Sequence, residues 1–249
     1  MMINPFDVVR DFETEMASFT GAPYAVAVDS CTSALFLSLM WNHNQIVRKQ
    51  AEISTIRKLM PAIPVVQIPK HTFISVPTAA IRAGFSVVFV DNAWHGSYRL
   101  FPLPVYDAAC ELTPNMFLHT GVLKVGQAVS KSTTVAMLQN YDPPLRYVCL
   151  NFQHRKPLPI GRGGMILHND PDADVWFRKQ RFYGREECPL ADDPGPTELG
   201  WRMYMEPEEA SSGLRRLHQW DADNPGGRIV EITYQDLSEI PAFQKHIVQ

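Results

Sequence analysis

Apolar and polar residues alternate with two different periods in the first part of the chain. Residues 5–19 carry apolar side chains at helical spacing, which predicts an amphipathic helix. Residues 24–28 (YAVAV) form a short apolar run, which is typical of a buried strand. A small polar turn, residues 29–33 (DSCTS), then leads into residues 34–42, which predict a buried helix. This order predicts a strand–turn–helix unit with the turn at the N-terminus of the helix.

The same alternation continues along the chain. Further strands are predicted over residues 65–68, 86–90, 104–106, 147–152, 165–168 and 230–233. Further helices are predicted over residues 74–83, 171–183 and 207–220. Residues 111–146 lack a clear period and are expected to be rich in loops. Short apolar strands that alternate with helices predict an α/β fold with a mainly parallel sheet.

Composition narrows the function classes. The chain has 249 residues and a net charge of −3, with no run of basic residues, which argues against nucleic-acid binding. No apolar window reaches the length of a membrane span, so we expect no membrane segment. The four cysteines are widely spaced, and reduced thiols in a cytoplasmic protein are the expectation. The eight histidines form no ligand motif, so no metal site is expected.

The turn Ser30-Cys31-Thr32-Ser33 is the first candidate binding element. Small residues allow a ligand to approach the backbone closely, and the amides at a helix N-terminus together with hydroxyl groups suit a phosphate. Serine and threonine are also the preferred residues for capping a helix, which is the more common role of such a turn. The turn alone therefore leaves both roles open.

Asp107 and Lys156 are the candidate catalytic residues. Asp107 follows a predicted strand, and a carboxylate there can pair with a pyridinium nitrogen or cap a helix. Lys156 follows another predicted strand, in NFQHRKPLPIGRGG. A lysine there could form a Schiff base with an aldehyde, and the alternative is a surface lysine in a basic loop. Ligands of α/β proteins bind at the carboxyl ends of strands, so we expect the two side chains to share one sheet edge with the Ser30 turn. Phe73 could stack on a ring there, although a core phenylalanine is more common.

Several segments, in this order, resemble the DegT/DnrJ/EryC1/StrS family of pyridoxal-phosphate enzymes, most of which are sugar aminotransferases. FETEMASFTGAPYAVAVDSCTSALFLSL resembles its first strand and phosphate turn, and IPKHTFISVPTAAIRAGFSVVFVD its next βαβ segment. VYDAA resembles the aspartate motif of the family, and CLNFQHRKPLPIGRGGMILHND its lysine motif. RFYGRE and ELGWRMYMEPEEASSGLRRL resemble the segment that follows. The resemblance runs from about Phe12 to Leu217.

The resemblance implies a role for each matching residue. Lys156 would form a Schiff base with pyridoxal 5′-phosphate and carry the proton, and Asp107 would bind the pyridine nitrogen. Thr32 and Ser33 would hold its phosphate, with Asn151 standing where the family usually has a serine. Phe73 stands where the family places a ring stacked on the cofactor. The implied cofactor site comprises Ser30, Cys31, Thr32, Ser33, Phe73, Asp107, Asn151 and Lys156. Cys110 replaces the polar histidine or glutamine that is usual three residues after the aspartate.

The implied fold is the large domain of the aspartate-aminotransferase type (fold type I), with a mainly parallel mixed sheet and the small domain reduced or absent. We expect residues 1–220 to form the pyridoxal-phosphate-binding domain. Residues 221–249 would be a short C-terminal extension, a remnant of the small domain. The family also implies a homodimer whose active sites take residues from both subunits.

The implied reaction transfers an amino group from an amino acid, with glutamate expected, to a nucleotide-linked keto-sugar. His154, Arg155 and Arg202 by charge, and Tyr204 by its hydroxyl, are candidates for binding these substrates. One alternative is a domain that binds cofactor or a partner without turnover. Another is a related pyridoxal-phosphate sugar dehydratase, although those relatives carry histidine in place of the lysine.

Overall fold

The computed structural model describes residues 4–57, 63–120, 145–188, 192–224 and 226–247. Seven helices lie in this part of the chain: α1 (Asp7–Thr20), α2 (Cys31–Arg57), α3 (Ser75–Arg82), α4 (Met116–His119), α5 (Pro171–Arg181), α6 (Pro207–Asp223) and α7 (Pro241–Gln244). The strands are β1 (Tyr24–Val28), β2 (Val65–Pro69), β3 (Ser86–Val90), β4 (Tyr98–Arg99), β5 (Val105–Asp107), β6 (Glu111–Leu112), β7 (Tyr147–Asn151), β8 (Gly164–His168) and β9 (Arg228–Ile229). Most of the predicted 111–146 loop region lies outside the described residues.

The central sheet has five strands in the order β1-β8-β7-β5-β4. Only the β5–β7 pairing is parallel, while β1–β8, β7–β8 and β4–β5 are antiparallel. The parallel pair β2–β3 forms a separate sheet that is linked to the segment after β4 by a bridge between Gln67 and Phe101. The predicted α/β fold with a mixed sheet is therefore confirmed, but antiparallel pairings outnumber parallel ones in the central sheet.

Two hydrophobic cores cover the opposite faces of this sheet because neighbouring side chains of a strand point to opposite sides. In β1, Val26 and Val28 join a core that includes residues of α2 and α3. Ala25 and Ala27 join a second core, which contains residues of α1 and α6. The apolar strands that the sequence predicts therefore form the middle layer of three, between two layers of helices.

Helix α2 is much longer than predicted. The apolar stretch over residues 34–42 marks its buried half, where Leu35, Leu37 and Leu39 lie in the core. The helix continues to Arg57 through polar residues that are half-buried or exposed up to Glu52. An apolar pattern cannot mark a helical segment whose surroundings are mostly solvent, so the prediction ended too early.

The C-terminal segment lies back across the sheet edge. The predicted strand over residues 230–233 is wrong, because the only strand in this segment of the described chain is β9, which pairs with β6. We call residues 226–237 the C-terminal strap. The strap ends at Leu237, which is completely buried and whose amide donates to the carbonyl oxygen of Lys70 (2.9 Å). The strap therefore packs onto the segment that follows β2.

Candidate functional site

A cavity of about 720 Å³ opens at the carboxyl ends of β1, β5 and β7. This volume falls within the range of small-molecule sites, roughly 300–1,000 Å³. Three of its walls come from elements that the sequence marked as candidates: the turn before α2, the end of β5 and the segment after β7. The fourth wall is residues 230–234 of the C-terminal strap.

Lys156 lies on a tight turn directly after β7. Its amide donates to the carbonyl oxygen of Gln153 (3.0 Å), which bends the chain so that the lysine side chain enters the cavity. The residue is only 8% exposed, and its Nζ donates to Sγ of Cys110 (3.4 Å). Lys156 is therefore a buried amine within the cavity, and the alternative of a solvent-exposed surface lysine is not what the structure shows.

Asp107 is the last residue of β5 and is also buried in the cavity wall. Its Oδ1 accepts from the amide of Ala109 (2.9 Å) and its Oδ2 from the hydroxyl of Tyr98 (2.8 Å). Because Tyr98 uses its proton for Asp107, the hydroxyl of Thr72 donates to Tyr98 (2.5 Å). Burial raises the pKa of the Asp107 carboxyl, and the bonds from Ala109 and Tyr98 and the charge of Lys156 offset only part of this.

The turn before α2 combines the two roles that its sequence left open. Oγ of Ser30 accepts from the amide of Ser33 (3.1 Å) and so caps the helix. Ser30, Cys31 and Thr32 also line the cavity, with Thr32 exposed to it. Ser33 is buried instead, and its Oγ donates to Oδ1 of Asp29 (2.6 Å). Helix α2 thus presents its first residues to the cavity, where the positive end of its dipole favours an anion.

The glycine-rich segment after Lys156 allows β8 to pass close to this turn. A Cβ at Gly164 would lie 2.4 Å from the carbonyl carbon of Ser30 and 2.5 Å from the amide nitrogen of Cys31. Such distances leave no room for any side chain. Gly164 therefore fixes the position of the helix N-terminus relative to the segment that carries Lys156.

Three aromatic side chains form another part of the cavity wall. Phe73 is 51% exposed, and its ring meets that of Tyr234 edge-on, with centroids 6.3 Å apart. Trp94 stacks on Tyr234 (6.0 Å, 27°) and contacts Tyr98 (4.8 Å). Phe73 is thus a cavity residue with an open face and is not part of the core, which leaves the ring available to a flat ligand.

The remaining predicted residues divide into two groups. Asn151, His154 and Arg155 line the cavity, the last two as exposed residues at its rim. Arg202 and Tyr204 do not line it. Arg202 pairs with Glu206 and lies over the ring of Tyr204 (5.1 Å).

Sequence reasoning missed Tyr98, Trp94 and Tyr234. Tyr98 belongs to a two-residue strand, which is too short to give a periodic pattern. Trp94 precedes it in a segment without regular structure. Tyr234 lies one residue beyond the strand that was predicted wrongly. An aromatic residue in each of two unpatterned segments was the only available signal.

Sequence comparisons show which known proteins this chain resembles. Residues 2–97 match the model of the "DegT/DnrJ/EryC1/StrS aminotransferase family". The spore coat polysaccharide biosynthesis protein SpsC of Bacillus subtilis is 31% identical over 247 residues, covering 86% of this chain and 57% of SpsC. The family-model match and the similarity to SpsC both support the predicted membership of the DegT/DnrJ/EryC1/StrS aminotransferase family. This family consists of pyridoxal-phosphate-dependent aminotransferases, so the predicted enzyme class and cofactor are those of the family.

Solved structures of aminotransferases share this fold. The aminotransferase PseC of Helicobacter pylori, which is involved in pseudoaminic acid biosynthesis, has a TM-score of 0.60 at 11% identity, covering 98% of this chain and 85% of PseC. A DegT DnrJ EryC1 StrS aminotransferase of Brucella abortus has a TM-score of 0.59 at 14% identity, covering 96% and 79% of the two chains. These likenesses confirm the predicted fold type I architecture.

The described residues contain neither a candidate membrane span nor a candidate metal site. None of the helices there is both long and apolar enough to cross a bilayer. Within the same residues, no group of three histidine, cysteine or acidic side chains has an arrangement that would hold a metal ion.

Proposed function

We propose that this chain binds pyridoxal 5′-phosphate through Lys156 and acts as a sugar aminotransferase. One observation carries the proposal. The buried amine of Lys156, the buried carboxylate of Asp107 and the N-terminus of α2 at Ser30 all line a single cavity. Their sequence positions are far apart, so their meeting at one sheet edge is a property of the fold.

The residues of the cavity fit the chemical groups of this cofactor. An aldehyde needs an amine, which Lys156 supplies. A phosphate suits the hydroxyls of Ser30 and Thr32 and the positive end of the α2 dipole. A protonated ring nitrogen suits Asp107, whose hydrogen-bond partners, Tyr98 and Ala109, are both neutral donors. A cationic ring nitrogen would favour the ionised form of Asp107, which burial disfavours.

When bound, pyridoxal phosphate supplies an electron sink for the bonds around the amino carbon of a substrate. Asp107 would keep the ring nitrogen protonated, and the open face of Phe73 would pack against the ring. Lys156, once its amine is released, is placed to take a proton from the substrate carbon and return it as a general acid. Lys156 is only 8% exposed, and this burial would keep bulk water away from the proton transfer.

We further propose that the amino donor is glutamate and the acceptor a nucleotide-linked keto-sugar. His154 and Arg155 lie exposed at the rim of the cavity, where they are placed to bind a donor carboxylate or nucleotide phosphates. Two similar proteins point the same way. SpsC takes part in spore coat polysaccharide biosynthesis, and PseC in pseudoaminic acid biosynthesis.

The proposal includes a cytoplasmic homodimer with shared active sites. Arg202 and Tyr204 are exposed or half-exposed and lie outside the cavity of their own chain, which is compatible with a role toward a partner's substrate. We also propose that residues 1–220 form the cofactor-binding domain and residues 221–249 its extension. The chain spans 57% of the length of SpsC.

A spectral half-reaction tests this function. Purified protein is saturated with pyridoxal phosphate and mixed with glutamate, and the visible band of the lysine-bound cofactor is followed. We expect the band to disappear with glutamate and to return when a nucleotide-linked keto-sugar is added. A visible band that glutamate and other amino acids leave unchanged would indicate a cofactor-binding domain without turnover. Protein that never acquires the band would contradict the proposal as a whole.

A further inference from the structure

The hydroxyl of Tyr234 is part of a row of polar atoms that leads to the lysine amine. Nζ of Lys156 lies 3.4 Å from Sγ of Cys110, and Sγ of Cys110 lies 3.7 Å from the hydroxyl of Tyr234. All three residues line the same cavity. The C-terminal strap thus brings a phenol to the place in the cavity where the lysine amine ends.

The strap is fixed on both sides of Tyr234. Before it, the amide of Val230 donates to the carbonyl oxygen of Cys110 (2.8 Å), next to the β6–β9 pairing. At Tyr234 itself, Nδ1 of His71 donates to the main-chain carbonyl oxygen (3.2 Å). After it, Asp236 forms an ion pair with Lys70 (3.3 Å). The position of the phenol is therefore determined by contacts on either side.

Tyr234 is also in the right protonation state to donate. Its ring is held between Trp94, which stacks on it, and Phe73, which meets it edge-on. Burial raises the pKa of the Tyr234 phenol well above its usual value, and the neighbouring thiol of Cys110 adds to this. The hydroxyl therefore keeps its proton throughout the neutral range and can donate a hydrogen bond.

The chemistry of the proposed cofactor gives this donor a target. Pyridoxal phosphate carries a ring hydroxyl on the carbon next to the one that bears the aldehyde. A protein group beside the lysine amine is therefore close to that ring oxygen, which carries negative charge when the hydroxyl is ionised. The thiol of Cys110 is a weak donor and meets such an oxygen poorly. A phenol is a strong donor to an ionised oxygen.

We propose that Tyr234 of the C-terminal strap is a cofactor-binding residue that donates a hydrogen bond to the ring oxygen of pyridoxal phosphate. This inference rests on the proposed function. In this chain the strap supplies a strong hydrogen-bond donor, which Cys110 does not. Tight cofactor binding therefore requires that the strap is docked. A donor at this oxygen stabilises its negative charge and so favours loss of the proton from the neighbouring lysine-linked nitrogen.

The test compares Tyr234→Phe with the wild-type chain, using the pH titration of the visible band of the lysine-bound cofactor. Loss of the donor should raise the titration midpoint by about one pH unit and weaken cofactor binding about tenfold. Tyr24→Phe is the matched control, since Tyr24 is the first residue of β1, at the end of the strand away from the cavity, and its ring stacks on His168 (5.3 Å). The control should titrate like the wild type.

An unchanged midpoint in Tyr234→Phe, with the visible band present, would overturn the inference while the proposed function stands. Absence of the band from the wild-type chain would instead contradict the proposed function. If Tyr234→Phe fails to fold, Lys70→Met provides the second test, because it loosens the strap through an ion pair on the surface. Lys70→Met should shift the midpoint in the same direction by a smaller amount, and no shift would again overturn the inference.

Discussion

The hydroxyl of Tyr98 donates to Oδ2 of Asp107 over 2.8 Å, inside the wall of the cofactor cavity. This bond lowers the pKa of a carboxyl that burial raises, and so favours its ionised form. Tyr98→Phe should therefore weaken cofactor binding by about three- to tenfold, the effect of one lost hydrogen bond. Absorbance titration with pyridoxal phosphate measures the change. Binding equal to that of wild type would show that Tyr98 does not support Asp107.

The raised pKa of Asp107 predicts a pH effect on the apoprotein. The unfolded chain, with the carboxyl near its ordinary value of 3.8, releases this proton before the folded chain does. This contribution therefore reduces stability as pH rises from 3.8 through the higher folded-state pKa, and the loss persists at neutral pH. Asp107→Asn removes it.

The apoprotein of Asp107→Asn should therefore be at least as stable as wild type at neutral pH, although its cofactor binding should be strongly impaired. Urea unfolding at several pH values, together with cofactor titration, separates the two effects. An Asp107→Asn apoprotein that is clearly less stable than wild type at pH 7 would show that the hydrogen bonds to the carboxylate outweigh its burial.

Gly164 should tolerate no side chain, because a Cβ there would lie 2.4 Å from the carbonyl carbon of Ser30. Gly164→Ala must displace the turn before α2, at a cost in unfolding free energy of about 1–3 kcal/mol. Cofactor affinity should fall as well, since the phosphate site moves. Gly226→Ala is the control, because nothing lies within 4 Å of its added Cβ. Equal stability of the two variants would contradict the packing described here.

A buried ion pair attaches α1 to the rest of the fold. Glu13 is 4% exposed and Arg181 completely buried, and Oε1 of Glu13 accepts from Nη1 of Arg181 (2.5 Å) and from the amide of Ala27 (2.8 Å). Burial alone would raise the pKa of Glu13, but the charges of Arg181 and Arg178 lower it overall. The pair therefore stabilises the fold above the ordinary pKa of 4.5, and this contribution is lost as the pH falls through the lowered value.

Glu13→Gln should cost about 3–5 kcal/mol of unfolding free energy, because it removes the buried carboxylate charge that pairs with both Arg181 and Arg178. Denaturant unfolding at neutral pH gives the value. Glu15→Gln, on the exposed side of the same helix, should change stability by about 0.5 kcal/mol or less. A small effect of Glu13→Gln would show that Glu187 alone neutralises Arg181, from which it lies 2.7 Å away.

Much of this arrangement was predictable because it depends on local patterns. The strands over residues 24–28 and 86–90 have the predicted bounds, because short apolar runs that are bounded by turn residues are typical of strands. Lys156 and Asp107 meet because both follow strands of one sheet. The apolar runs predict these strands, and parallel strands of one sheet end at the same edge.

The rest depends on contacts between distant segments, which no local pattern contains. Tyr234 reaches the cavity only because the strap docks on Lys70 and His71, far away in sequence. The sheet has more antiparallel pairings than expected because β8 inserts between β1 and β7, which the order of elements does not reveal. Arg202 and Tyr204 carry suitable chemistry but are not among the residues that line the cavity of this chain.

The central claim is that Lys156 holds the cofactor. The most direct measurement is borohydride reduction of the protein with bound pyridoxal phosphate, followed by peptide mass spectrometry. We expect the cofactor to be fixed on the peptide that contains Lys156, and the modification to be absent in Lys156→Ala. A modification located on other lysines, or one that survives in Lys156→Ala, would contradict the account.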